Sequence, residues 1–158
     1  ETQQAGLSWW TVLQKREAYR QAFREFDPYF LAGADEAILN EWLSNPELIR
    51  HRKKFEAVIH NARCYLSEFP TQNSTGAKGE SGQGGFHDYF WGFVDGKPID
   101  TPWKSIDAVP ATTLLSDTIS RDLKRRGFKF IGSVTVYAYL QAIGVVNDHL
   151  ESCIIREL

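Results

Sequence analysis

The chain has 158 residues, 42% of them apolar and 24% charged, which is enough for a hydrophobic core and excludes a disordered or fibrous class. It has no long uninterrupted apolar run, which argues against a membrane span, and no visible signal peptide; its two cysteines, Cys64 and Cys153, are too few for a disulfide framework and suit a reducing cytoplasm. A net charge of −2 does not by itself suggest a nucleic-acid partner, yet the cations are clustered: Arg50, Arg52, Lys53 and Lys54 in one group, Arg121, Lys124, Arg125, Arg126 and Lys129 in another.

Trp9, Val12, Leu13, Arg16, Tyr19, Phe23 and Phe26 recur at three- and four-residue spacing and predict a helix over 8–26. Asp27-Pro28 ends it, because the residue before proline avoids helical geometry. A second helix is expected over 35–43, with Asp35 as its cap, and Asn45-Pro46 breaks the chain again. From 47 to 69, Ile49, Phe55, Val58, Ile59, Ala62, Tyr65 and Leu66 predict a long amphipathic helix, closed by Pro70. Residues 70–85 are rich in glycine and small polar side chains and read as a mobile loop within one domain spanning 1–158. The aromatic stretch 86–94 fits either a short strand or a buried helix, turned by Asp95-Gly96. Helices follow over 114–125, with Leu115, Ile119 and Leu123 on one face, and over 133–145. The expected fold is all-α, without internal repeats.

Between the last two helices lies Arg126-Gly127-Phe128-Lys129-Phe130-Ile131-Gly132. Gly127 and Gly132 permit a tight hairpin, since glycine tolerates positive φ and close backbone approach. A hairpin opening onto a helix presents unpaired N–H groups suited to a phosphate, and Lys129 with the preceding cations would add counter-charge. Phe128, Phe130 and Ile131 would hold it against the core. A plain αα-turn with glycine caps reads from the same residues.

Several separated motifs resemble the bacterial 3-methyladenine DNA glycosylase I family of the helix–hairpin–helix superfamily. They are Gln3-Gln4-Ala5-Gly6-Leu7-Ser8-Trp9, then Val12-Leu13 and Lys15-Arg16-Glu17, Ile49 to Lys53, Asn61-Ala62-Arg63, Lys124 to Gly132, and Val146-Asn147-Asp148-His149. The resemblance runs along nearly the whole chain in the family's order. It implies a helix–hairpin–helix fold that flips an alkylated nucleotide out of double-stranded DNA and cleaves its N-glycosidic bond. It implies that Glu1 is the catalytic and base-binding carboxylate and Trp9 a base-binding aromatic. Leu7 matches a wedge that fills the space left by the flipped base. Lys124, Arg125, Gly127, Lys129 and Gly132 are the expected DNA-binding residues. Asp148 receives no catalytic role, and no lysine occupies a nucleophile position after the hairpin.

In the family, a histidine and a cysteine with the spacing of His149 and Cys153 form half of a structural zinc site, and a continuing helix would put the two on one face. The chain begins at Glu1 without an initiator methionine and reads as an excerpt. The other half of the metal site and further pocket aromatics are expected in the absent N-terminal stretch. His60 and Cys64 repeat the spacing but are read as packing residues. The reading is a monomeric, monofunctional DNA-3-methyladenine glycosylase, with alkylated duplex DNA and free 3-methyladenine as partners. The rival is a non-enzymatic damaged-DNA-binding module that kept the hairpin.

Overall fold

A computed structural model of the chain describes residues 1–4, 6–69 and 85–157. The stretch expected as a mobile loop lies outside the described residues except for Gly85, which precedes helix α6. The chain divides into two compact units, Glu1–Thr71 with Leu123–Ile131, and Gln72–Asp122 with Gly132–Leu158. Helices dominate both, and among the described residues no helix is long and apolar enough to cross a membrane.

In the first unit, the helix expected over 8–26 is two: α1, Trp9–Leu13, and α2, Arg16–Ala22. Ser8 caps α1 by accepting from the Thr11 amide, and Lys15 turns the chain between the helices. Helix α1 buries none of its residues, so its apolar periodicity does not reflect a core contact. Arg24, Glu25 and Phe26 then adopt left-handed backbone, ending the helical path four residues early. Asp27-Pro28 therefore does not end α2, which has already stopped at Ala22; it starts α3, Pro28–Gly33. Asp27 accepts from the Tyr29 amide, and Pro28 occupies the first helical turn, where its missing N–H costs nothing. Helix α4, Glu36–Ser44, begins where expected, with Asp35 accepting from the Ala37 and Ile38 amides.

Helix α5, Arg52–Glu68, starts five residues later than its apolar pattern suggests, because His51 caps it by accepting from the Lys54 amide. Helix α3 packs along α5. Phe23, Trp42 and Phe55 form the centre of the core, with ring centroids 4.8 Å apart for Phe23–Trp42 and 5.6 Å for Trp42–Phe55. Trp42 Nε1 donates to the Ala22 carbonyl at 3.1 Å, so the indole brings its large apolar area without an unpaired donor.

In the second unit, the aromatic stretch resolves as helix α6, Phe86–Gly92, with Phe90 buried against Tyr139. No hairpin follows Asp95-Gly96. Strand β1, Ile99–Asp100, instead pairs in parallel with the distant β2, Val146–Asn147. Helix α7, Leu114–Arg125, opens on a reciprocal pair, Thr113 N to Ser116 Oγ at 2.9 Å and Ser116 N to Thr113 Oγ1 at 3.1 Å. Its last residues cross into the first unit. Helix α8, Ser133–Ala142, ends three residues before the expected 145. Ser116 Oγ lies 2.7 Å from Ser133 Oγ, joining the starts of α7 and α8.

Candidate functional site

The N-terminal segment carries three of the expected site residues. Gln4 N donates to Glu1 O at 3.0 Å, and Leu7 N donates to Gln4 O at 2.7 Å, so two successive turns lead into α1. The second turn passes through Gly6 at φ +78, a conformation that glycine adopts without strain. Among the described residues, the Glu1 carboxylate has no hydrogen-bond or ion-pair partner. Leu7 is 39% and Trp9 53% exposed. An uncommitted carboxylate and two surface apolar groups therefore sit on one short segment. That suits recognition of something external and contributes little to the core.

Sequence reasoning missed what holds this segment down. Lys54, grouped with its neighbours as a basic cluster, is buried, and its Nζ donates to the Gln3 carbonyl at 2.8 Å. Tyr19 OH donates to Gln3 Oε1 at 3.2 Å and accepts from Ile49 N at 3.2 Å. Burial pulls the Lys54 ammonium below the ordinary lysine range, and burial likewise pushes the Tyr19 phenol up.

The hairpin after α7 is closed by a Schellman motif. Gly127 N donates to Lys124 O and Phe128 N to Leu123 O, both at 3.0 Å, with Leu123 and Phe128 buried beside it. Gly127 is favoured by its φ of +95, and a Cβ there would meet Cys64 Sγ tightly, at 3.3 Å. Gly132 differs from the expectation. It caps α8 with φ −60 and ψ 163, ordinary extended backbone, while Phe130 takes the left-handed position at φ 55. Nothing lies within 4 Å of a Cβ built on Gly132. Lys124, Arg125 and Lys129 are exposed, as a phosphate contact needs.

Helix α5 grips this hairpin. Asn61 Oδ1 accepts from Lys129 N and Asn61 Nδ2 donates to Lys129 O, each at 2.8 Å. His60 Nε2 lies 2.8 Å from Gly127 O, so His60 is a hydrogen-bonding residue and not the packing residue expected. Arg126 pairs with Glu68 at 3.0 Å, which directs that cation along α5. The Asn61-Ala62-Arg63 motif contained the signal, but no periodicity argument links it to a segment 68 residues away.

His149 and Cys153 do not lie on a helix. The chain turns there, with Cys153 N donating to Leu150 O at 2.9 Å, and only afterwards enters a 3-10 helix at Ile154–Glu157. The turn nonetheless brings His149 Nδ1 and Cys153 Sγ to 3.5 Å. Two ligands at ordinary Zn–N and Zn–S lengths and a tetrahedral angle are about 3.6 Å apart. The pair therefore fits two corners of a zinc site, although no group of three or more potential ligands occurs among the described residues. His60 and Cys64 show the same 3.5 Å separation. There the imidazole Nε2 already engages Gly127 O, and burial raises the Cys64 thiol, disfavouring the thiolate a metal needs. Asp148 is fully engaged, accepting from Trp103 Nε1 at 2.7 Å, from Gln141 Nε2 at 2.9 Å and from Tyr137 OH.

Two helices joined by a Schellman-closed hairpin, in an otherwise helical chain, define a helix–hairpin–helix protein. A family model described as methyladenine glycosylase matches residues 1–157. The DNA-3-methyladenine glycosylase of Haemophilus influenzae is 44% identical over 153 residues, covering 97% of this chain and 77% of the relative. DNA-3-methyladenine glycosylase 1 of Escherichia coli is also 44% identical over 153 residues, covering 97% and 76%. A crystal structure of a 3-methyladenine DNA glycosylase I variant in complex with 3-methyladenine superposes with a TM-score of 0.86 at 35% identity, over 98% of this chain and 77% of that one. The chain belongs to the methyladenine glycosylase family.

Proposed function

We infer that this chain is a DNA-3-methyladenine glycosylase, a hydrolase that removes 3-methyladenine from alkylated DNA. The observation that carries this reading is identity at 44% along 97% of the chain to two bacterial enzymes of that activity. Methylation at N3 leaves the adenine cationic, so the base is already a good leaving group. The glycosidic C1′–N9 bond breaks with its electron pair going to the base. Water adds its oxygen to C1′ and releases a proton, leaving an abasic sugar and neutral free 3-methyladenine. The protein must select the base and expose it, which a stacked duplex requires to be done by flipping.

The roles assigned to individual residues follow from that chemistry. Glu1 reads the cationic purine by charge-assisted hydrogen bonding, and Trp9 offers an aromatic face to it. Leu7 fills the gap left in the duplex. Lys124, Arg125 and Lys129 supply phosphate counter-charge from the hairpin, whose shape depends on Gly127, and Gly132 leaves the start of α8 open to close approach. The protein acts on double-stranded DNA as a monomer. His149 and Cys153 would hold a structural zinc, which would cross-link the chain after β2 and take no part in hydrolysis.

Release of free base from duplex DNA methylated at adenine N3 by the full-length protein tests the reading, with chromatographic identification of the product. Release of 3-methyladenine is expected. Tight binding of the same duplex without release would favour a non-enzymatic damage-binding module.

A further inference from the structure

Among the described residues, Lys54 is the only buried side chain that carries a charge, at 5% exposure. Removing an ammonium from water is costly unless hydrogen bonds replace its hydration, and a methionine of similar shape would fill the space without that cost. What methionine cannot do is fix a carbonyl. Lys54 Nζ donates to Gln3 O at 2.8 Å, and Gln3 Nε2 returns a longer contact to Lys54 O at 3.5 Å. Tyr19 OH ties Gln3 Oε1 to the Ile49 amide. The circuit joins the N-terminal segment, α2 and the start of α5, and no buried side-chain nitrogen or oxygen among the described residues is left unpaired.

The residue so fixed is a backbone position inside the Glu1–Gln4 turn. It lies two residues after Glu1 and four before Leu7. The turn itself is held by the Gln4 N to Glu1 O bond, so fixing the Gln3 carbonyl fixes the direction in which Glu1 leaves the turn. We propose that Lys54 is a positioning residue for base recognition: through the Gln3 carbonyl it holds the Glu1 carboxylate in place for the alkylated purine. The proposal rests on the reading of Glu1 as the group that meets the base. It assigns Lys54 no contact with DNA, although its neighbours Arg52 and Lys53 are exposed cations.

A double-mutant cycle read by calorimetric titration with free 3-methyladenine tests it. Lys54→Met removes the ammonium and its donors, and Glu1→Gln removes the charge of the reader. Each alone should weaken free-base affinity about tenfold or more, the cost of losing a charge-assisted hydrogen bond from a desolvated site. The double variant should be little weaker than Glu1→Gln alone, because Lys54 acts through Glu1. Binding of a duplex with an abasic-site analogue should stay within about twofold of the parent, since the hairpin lies on other residues. Lys54→Arg keeps charge and donors and should recover part of the lost affinity, which a purely volumetric role would not give. Parental affinity in a cooperatively melting Lys54→Met protein overturns the proposal, as do fully additive losses. Parental affinity in Glu1→Gln overturns the Glu1 reading and the proposal with it. Should Lys54→Met not fold, Tyr19→Phe opens the same circuit without altering a charge; it should weaken free-base binding severalfold, and unchanged affinity there counts against the proposal.

Discussion

Asn61→Ala isolates the grip of α5 on the hairpin. The substitution removes two hydrogen bonds of 2.8 Å, one to each backbone group of Lys129, and leaves the Schellman closure and the His60 contact to Gly127 intact. A neutral hydrogen bond contributes about 0.5–1.5 kcal/mol, and because Asn61 lies near the surface the two together are worth about 1–2 kcal/mol. If duplex binding requires the ordered hairpin, that loss appears as a smaller competent fraction, lowering affinity by up to roughly 5- to 30-fold. Fluorescence anisotropy with an abasic-site duplex measures it, and hydrogen exchange at the Lys129 amide reports the loosened hairpin directly. Free-base binding should not change. Asn61→Asp sharpens the test, since it keeps an acceptor for the Lys129 amide but sets a carboxylate oxygen against the Lys129 carbonyl. It should be at least as damaging as alanine. Duplex affinity and Lys129 exchange both at parental values in Asn61→Ala would refute the reasoning.

The two hairpin glycines should separate by assay. Gly127→Ala forces a left-handed residue and a Cβ 3.3 Å from Cys64 Sγ, lowering thermal stability by about 1–2 kcal/mol, whereas Gly132→Ala meets nothing, melts like the parent and weakens duplex binding. For the metal, elemental analysis of the full-length protein should find zinc lost from His149→Ala and Cys153→Ala and retained in His60→Ala; zinc lost only with His60 would reverse the assignment. Burial, then the hydrogen bond to Asp148, pushes the Tyr137 phenol well above its ordinary value near 10. The folded chain therefore keeps this proton where the unfolded chain loses it, so the stabilisation is complete below about pH 10 and is lost as pH rises further. Chemical denaturation of Tyr137→Phe across this range should show a flatter alkaline decline than the parent, and an identical slope would remove Tyr137 as its source.

Where local chemistry decides the structure, the sequence was readable. Asp35 announces α4 because a carboxylate two and three residues before the Ala37 and Ile38 amides is a cap whatever surrounds it. The α7–hairpin–α8 order follows from Gly127 and the flanking periodicity. Reading failed where a residue's meaning depends on distant neighbours. Trp9 belongs to the same apolar pattern as Tyr19 and Phe23, yet only the latter two face the core. Lys54 is indistinguishable from Lys53 in sequence, and the difference is that α5 turns one toward Gln3 and the other outward. His60 and His149 each precede a cysteine by four residues, and a carbonyl on a remote hairpin gives the first a different task. Residues 149–153 contain no proline to forbid a helix, and the turn there follows from β2 pairing with β1.

The hairpin's place in the chain also sets a timetable. Asn61 waits for a partner 68 residues downstream, and the first unit is not complete until Leu123–Ile131 exists. At synthesis rates of roughly 5–20 residues per second, the partner is made about 3–14 s after Asn61. Throughout that interval His60 and Asn61 on α5 lack the hairpin carbonyls they meet in the folded chain. Chains arrested before and after residue 131 should therefore differ sharply in protease resistance over their first 69 residues. The hairpin proposed to meet DNA is also the segment whose arrival completes the first unit.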